Sequence, residues 1–238
     1  MLDQFLIRFY NPIGNVAQYY SGSNSGSTVE ISASYQFGSF GFSSNAIGIN
    51  KSSDVFFIEL RYSSINDENK FPYYNIYRFG KPLTYNTHSN TSQQQYNSII
   101  SYKLNTNQRL AFYSWNTYSD REIPNTMLTF NSTATQKDLT NRYLLKYTYN
   151  RNKFKFDSKC AMLQEIIKYN DEPNGINSLL DNKSYLFKMG LNYNYNNLFV
   201  YSGFNYAVQE IVNNNYLNEF YKENTSALQT SISYKSSF

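Results

Sequence analysis

The run RYLLKYTYN (Arg142–Asn150) decides how this chain is read. Tyr143, Leu145, Tyr147 and Tyr149 take alternate positions, with Arg142, Leu144, Lys146, Thr148 and Asn150 between them. Side chains two apart on a strand share a face, so one face is aromatic and aliphatic and the other mostly polar. Asn150–Lys153 turns the chain, and Phe154, Phe156, Cys160 and Met162 resume the alternation. A polar stretch, Tyr169–Asn182, reads as a long loop around Asp171-Glu172-Pro173-Asn174-Gly175. The next strand sets Tyr185, Phe187, Met189, Leu191, Tyr193 and Tyr195 on one face and Lys188, Gly190, Asn192 and Asn194 on the other. Long strands joined alternately by a short turn and a long loop point to the wall of an antiparallel, up-and-down transmembrane β-barrel.

The same grammar extends in both directions. Upstream, strands are expected near Thr28–Phe37, Phe40–Ile49, Asp54–Ile65, Gln94–Leu104 and Gln108–Tyr118, with Gly38-Ser39-Phe40-Gly41 as a tight connection and Asn50–Ser53 and Asn105–Asn107 as turns. Loops are expected over Asn66–Gln93, where Pro72 and Pro82 bar a central strand, and over Asp120–Lys137. Downstream, strands fall at Leu198–Val212 and Asn224–Lys235 around a loop at Asn213–Glu223. The fifth strand is ambiguous, because Ala111, Tyr113 and Trp115 oppose Leu110 and Phe112 and both faces are partly apolar. Residues 1–27, with the Ser/Gly run at 21–27, are expected to be poorly ordered, and 28–238 to form a barrel segment of about ten strands. Phe37, Tyr62, Tyr102, Tyr149, Tyr195 and Tyr234 fall at strand ends, where interfacial aromatic girdles would sit. The plainer account is that Tyr favours strands, and the girdle is preferred to it because several of these residues adjoin the turns.

Composition agrees with this reading. Of 238 residues 41% are hydrophobic, but 25 Tyr and 18 Phe supply much of that, and mean hydropathy is negative. No run approaches the ~18 apolar residues of a membrane helix. A barrel needs none, because only every second residue faces lipid. The net charge of +4 is mild and its cations are scattered, so no nucleic-acid partner is expected. Aromatics interleaved with cations would suit a single-strand groove, but here the aromatics share faces with aliphatics. Met1–Tyr20 lacks the pattern of a secretory signal, since Asp3 precedes and Arg8 interrupts its apolar residues.

Candidate chemistry is sparse. Cys160 is the only cysteine and His88 the only histidine, and a small apolar filler explains Cys160 better than a catalytic thiol. The pairs Asp67/Glu68, Asp120/Glu122 and Asp171/Glu172 would permit acid–base work, and Asp171, Glu172 and Asn174 a calcium ion. Solvated loop charge is the simpler account. No metal cluster, phosphate loop or nucleophile motif is present, so neither enzyme activity nor a cofactor is expected and no catalytic, cofactor or metal residue is assigned.

Gly38-Ser39-Phe40-Gly41, Phe71-Pro72-Tyr73-Tyr74-Asn75 and Asp120-Arg121-Glu122-Ile123-Pro124, in that order on successive hairpins, resemble the early barrel of TonB-dependent outer-membrane receptors of the Bacteroidetes type, in the branch of vitamin B12 and siderophore transporters. The resemblance covers about residues 28–238. Such receptors close about 22 strands around an N-terminal plug, so it implies a partial barrel, with no plug in this chain. It further implies import of a scarce small-molecule nutrient, outer-membrane lipid around the wall, and a TonB system acting through the plug. Tyr73, Tyr74, Tyr77, Arg121 and Asn174 would be the rim residues placed to meet a ligand. A self-contained ten-stranded porin or adhesin is the alternative, and a soluble all-β binding module a third.

Overall fold

Within the alternating stretches every carbonyl and amide seeks a cross-strand partner, and in the computed structural model they find one except along the outer edges of the sheet. The structure describes residues 6–10, 15–24, 27–124, 132–196, 198–214 and 219–234. The strands in chain order are β1 (Leu6–Tyr10), β2 (Asn15–Asn24), β3 (Ser27–Phe37), β4 (Ser43–Ser53), β5 (Phe56–Asp67), β6 (Pro72–Tyr74), β7 (Leu83–Tyr85) and β8 (Thr91–Asn105). They continue with β9 (Gln108–Glu122), β10 (Thr135–Arg151), β11 (Phe154–Asp171), β12 (Ile176–Tyr195), β13 (Leu198–Asn213) and β14 (Glu219–Tyr234). All but β6 and β7 form one 12-stranded sheet in sequence order, every neighbour antiparallel, with β1 and β14 as its two edges. β6 and β7 make a small hairpin of their own, with Pro72 opening the first strand.

The ten strands read from residue 28 onward are β3–β5 and β8–β14. β1 and β2 precede them: the segment expected to be poorly ordered adds two strands to the sheet. Several boundaries also differ. The stretch Tyr169–Asn182, expected as a loop, is the paired ends of β11 and β12, with Tyr169 opposite Ser178 and Asn170 opposite Asn177. Only Glu172–Asn174, a single 3-10 turn closed by Gly175, separates them. β9 and β10 likewise reach Glu122 and Thr135, and β4 runs through the turn expected at Asn50–Ser53. These ends mix polar residues with apolar ones that fall on both faces, such as Ile176, Leu179 and Leu180, so alternation cannot mark them, while their backbone pairing continues.

Pairing assigns every side chain to a face. From Phe187 on β12 the register passes to Tyr206 and Ser226 on one side and to Cys160, Leu145, Phe112, Ile100 and Ile58 on the other. That face holds the whole apolar set: Tyr185–Tyr195 on β12, Phe154–Met162 on β11, Tyr143–Tyr149 on β10 and Leu198–Val208 on β13, at alternate positions. None of these positions carries a charge. The six girdle aromatics, Phe37, Tyr62, Tyr102, Tyr149, Tyr195 and Tyr234, all lie on it. The fifth-strand ambiguity resolves: Leu110 and Phe112 belong to the apolar face, and Ala111, Tyr113 and Trp115 to the opposite one.

No core forms between layers. Among the described residues the buried apolar side chains are Ala111 and Ala134 alone. The chain exposes 16825 Å², against about 11,000 Å² for a compact monomer of its mass. Ile47, Ile49, Leu60, Ile100, Leu145, Leu228 and Ile232, all on the apolar face, are each more than a third exposed. A single sheet with one bare apolar face is what the sequence builds.

Gly175 closes the β11–β12 connection at φ 66°, a left-handed conformation that costs an L side chain about 1–2 kcal/mol. Gly175→Val is expected to destabilise the hairpin by that amount, read as a lower urea midpoint with unchanged strand content.

Candidate ligand-facing surface

The second face carries the charge. Over the length of the apolar belt it presents Arg61 and Glu59 on β5, Arg109 on β9, Arg142 and Lys146 on β10, Lys155, Asp157 and Lys159 on β11, and Lys188 on β12. Lys146 pairs directly with Lys159, and Lys159 with Lys188, so three ammonium groups stand in one cross-strand row. Like charges opposite one another on a sheet repel. In the sequence these cations are scattered; the row forms only through the register of β10, β11 and β12.

One rung nearer the long connections lies a contiguous apolar row, Leu144–Ala161–Leu186–Ala207. One rung beyond that, Trp115 pairs with Arg142 on one side and Asn97 on the other. Trp115 stacks on Tyr113 with ring centroids 5.7 Å apart and planes 10° from parallel. In the rung on the other side of the lysines, Gly190 and Gly203 face each other. The Tyr201 ring and the Asp157 carboxylate lie over them, the carboxylate oxygen 3.1 Å from where a Cβ on Gly190 would sit.

At the end of the sheet bearing the long connections, the expected rim residues are spread over separate segments. Tyr73 and Tyr74 are on β6 and Tyr77 is exposed at the tip of the β6–β7 hairpin. Arg121 ends β9 and lies 3.6 Å from Asp138. The Asn174 amide donates to Asp171 at 2.7 Å, so these two residues hold the β11–β12 turn. Desolvation, then the charge of Asp171, raises the pKa of neighbouring Tyr169.

The carboxylate pairs are committed to local structure. Asp67 accepts the amide of Asn69 at 2.9 Å, Glu68 pairs with Lys70 at 2.7 Å, and Asp120 with Lys137 at 3.1 Å. The hydrogen bond to Asp120 raises the pKa of Lys137, and that to Asp181 does the same for Lys183. The stabilisation that these raised lysine pKa values represent is present at neutral pH and is lost as pH rises through the lysine range. Glu122 accepts the amide of Asn90 at 2.9 Å, and His88 Nε2 donates to the carbonyl of Ala134 at 2.7 Å, tying the β5–β8 connection to the one after β9. Cys160 lies mid-strand on the apolar face opposite Leu145 and Phe187, so it and His88 form no pair. Among the described residues no cluster of His, Cys, Asp and Glu could hold a metal ion.

These features define an all-β, up-and-down barrel-wall sheet, open at β1 and β14, with an apolar face uncharged along its belt from β5 to β13 and a polar, largely basic face opposite. No family model matches the sequence, nor does any curated protein. Among solved structures the chain is similar to the crystal structure of the ferric citrate transporter FecA in the unliganded form, with a TM-score of 0.49 and 7% identity. The match covers 92% of this chain, which spans 38% of that transporter's length.

Proposed function

We propose that this chain is part of the wall of an outer-membrane transport barrel, of the TonB-dependent receptor kind, that imports a scarce nutrient such as a siderophore or cobalamin. The observation that carries the reading is the apolar face, which runs across the sheet from β5 to β13 without charge in its belt, meets Lys51 only at the turn end of β4, and has no covering element among the described residues. A soluble module would lay a second sheet or helices on such a face; lipid covers it otherwise. From Tyr185 to Tyr195 the belt on β12 is roughly 33 Å along the strand, and a tilt of about 40° reduces this to about 25 Å, the height of an outer-membrane apolar band. Strands of 15–20 residues from β8 to β12 continue past the belt into polar ends that stand clear of the bilayer. In this reading the chain has no catalytic role, and its partners are lipid, the nutrient, and a plug through which a TonB system acts.

Cys160 supplies the test. Reconstituted in lipid vesicles, it should react with a membrane-permeant maleimide and be shielded, by about a hundredfold in rate, from a charged one. Moving the thiol one residue, as Cys160→Ser with Lys159→Cys, should abolish that shielding. Equal reactivity of both positions toward the charged reagent would sink the membrane reading.

A further inference from the structure

We propose that the polar face carries a binding slot for organic anions with an apolar body, the carboxylate lying on Lys146, Lys159 and Lys188 and the body on the Leu144–Ala161–Leu186–Ala207 row. The inference rests on the reading above in that it requires this face to be wet. Three observations meet in one place. The three lysines are direct cross-strand neighbours, an arrangement that repels itself unless an anion sits across it. None of them forms an ion pair with a carboxylate among the described residues; the nearest in register is Asp157, whose oxygen is turned over Gly190 on the far side of the row. The apolar row runs parallel to the lysines one rung away, about 7 Å along each strand, which is the length of a small aromatic acid.

The surface is also hollow there. Ala161, Ala207 and Ala227 replace the larger side chains that flank them, and with Leu144, Leu186 and Lys188 they line a concavity of about 360 Å³. A neutral apolar compound would find the row but leave the ammonium groups uncompensated. An inorganic anion would meet the lysines but not the row. An aromatic or aliphatic carboxylate satisfies both.

Trp115, the only tryptophan, reports on the slot because it lies on the same face beside the row, next to Tyr113 and Arg142. The probes are 2-aminobenzoate and its neutral isostere 2-aminobenzamide, added to the full chain in lipid nanodiscs, with further tryptophan-free barrel strands supplied in trans to cover its open edges, while Trp115 is excited. Saturable energy transfer to 2-aminobenzoate is expected, weakened at least about tenfold by Lys159→Gln with Lys188→Gln and by raised salt, and absent with 2-aminobenzamide. The double variant should unfold at the same or higher urea concentration, since it relieves repulsion, so a folding defect cannot imitate the loss. Equal transfer to the two probes, transfer indifferent to the lysine changes, or no transfer would overturn the slot. Brominated lipid separates the two readings: Trp115 left unquenched by it keeps the wet face and confines such a failure to the slot, whereas strong quenching would overturn both.

Discussion

Ile100→Arg, with further barrel strands supplied in trans in lipid vesicles, is expected to cost about 1–3 kcal/mol of folding free energy. Ile100 lies one rung inside the girdle residue Tyr102, and the penalty for a cation on a barrel's outer face falls from about 2–4 kcal/mol at mid-depth to about 0–1 near the interface. The neighbouring change Ile99→Arg should stay within about 0.5 kcal/mol of the parent, as at ordinary surface positions. The two residues are chemically identical and adjacent on β8. Ile100 pairs with Ile58 and Phe112 inside the apolar belt and is 43% exposed, with no described residue covering it. Ile99 pairs with Glu59 and Tyr113 on the opposite face, where an introduced guanidinium finds a carboxylate across the strand. Urea-dependent refolding of the two variants reads the difference directly. A larger cost at Ile99 would mean the faces are assigned the wrong way round. A small cost at both would mean that neither meets lipid.

The chain refolded alone in micelles should give large assemblies and no monomer of heat-modifiable migration. The cause lies at the edges. β1 and β14 each present a row of unpaired amides and carbonyls, and β14 does so over 16 residues. In hydrocarbon each unsatisfied backbone group costs several kcal/mol, so open edges there recruit other strands. Further barrel strands supplied in trans should convert the assemblies to a discrete species. A monomer that runs faster unboiled, with cysteines placed on β1 and β14 joining in one chain, would instead establish closure and favour the self-contained porin or adhesin.

Alternation of Tyr143 to Tyr149, Phe154 to Met162 and Tyr185 to Tyr195 made the central strands, their order and their apolar face readable, because a two-residue period has a single structural meaning when one face is dry. The same signal faded at Tyr169–Asn182, where both faces of β11 and β12 meet water and backbone pairing alone holds the strand. It was weak in residues 6–24, where β1 is only five residues long and interrupted by Arg8 and β2 ends in Ser, Gly and Asn. On β9 it was ambiguous, since Tyr113 and Trp115 are apolar yet belong to the wet side. The composition of each strand thus determined which elements form and which of their faces is apolar. Only the tertiary structure decided what the wet face is: Lys146, Lys159 and Lys188 are far apart in the chain, and the cross-strand register that sets them side by side depends on turn lengths and inter-strand hydrogen bonds rather than on any local pattern.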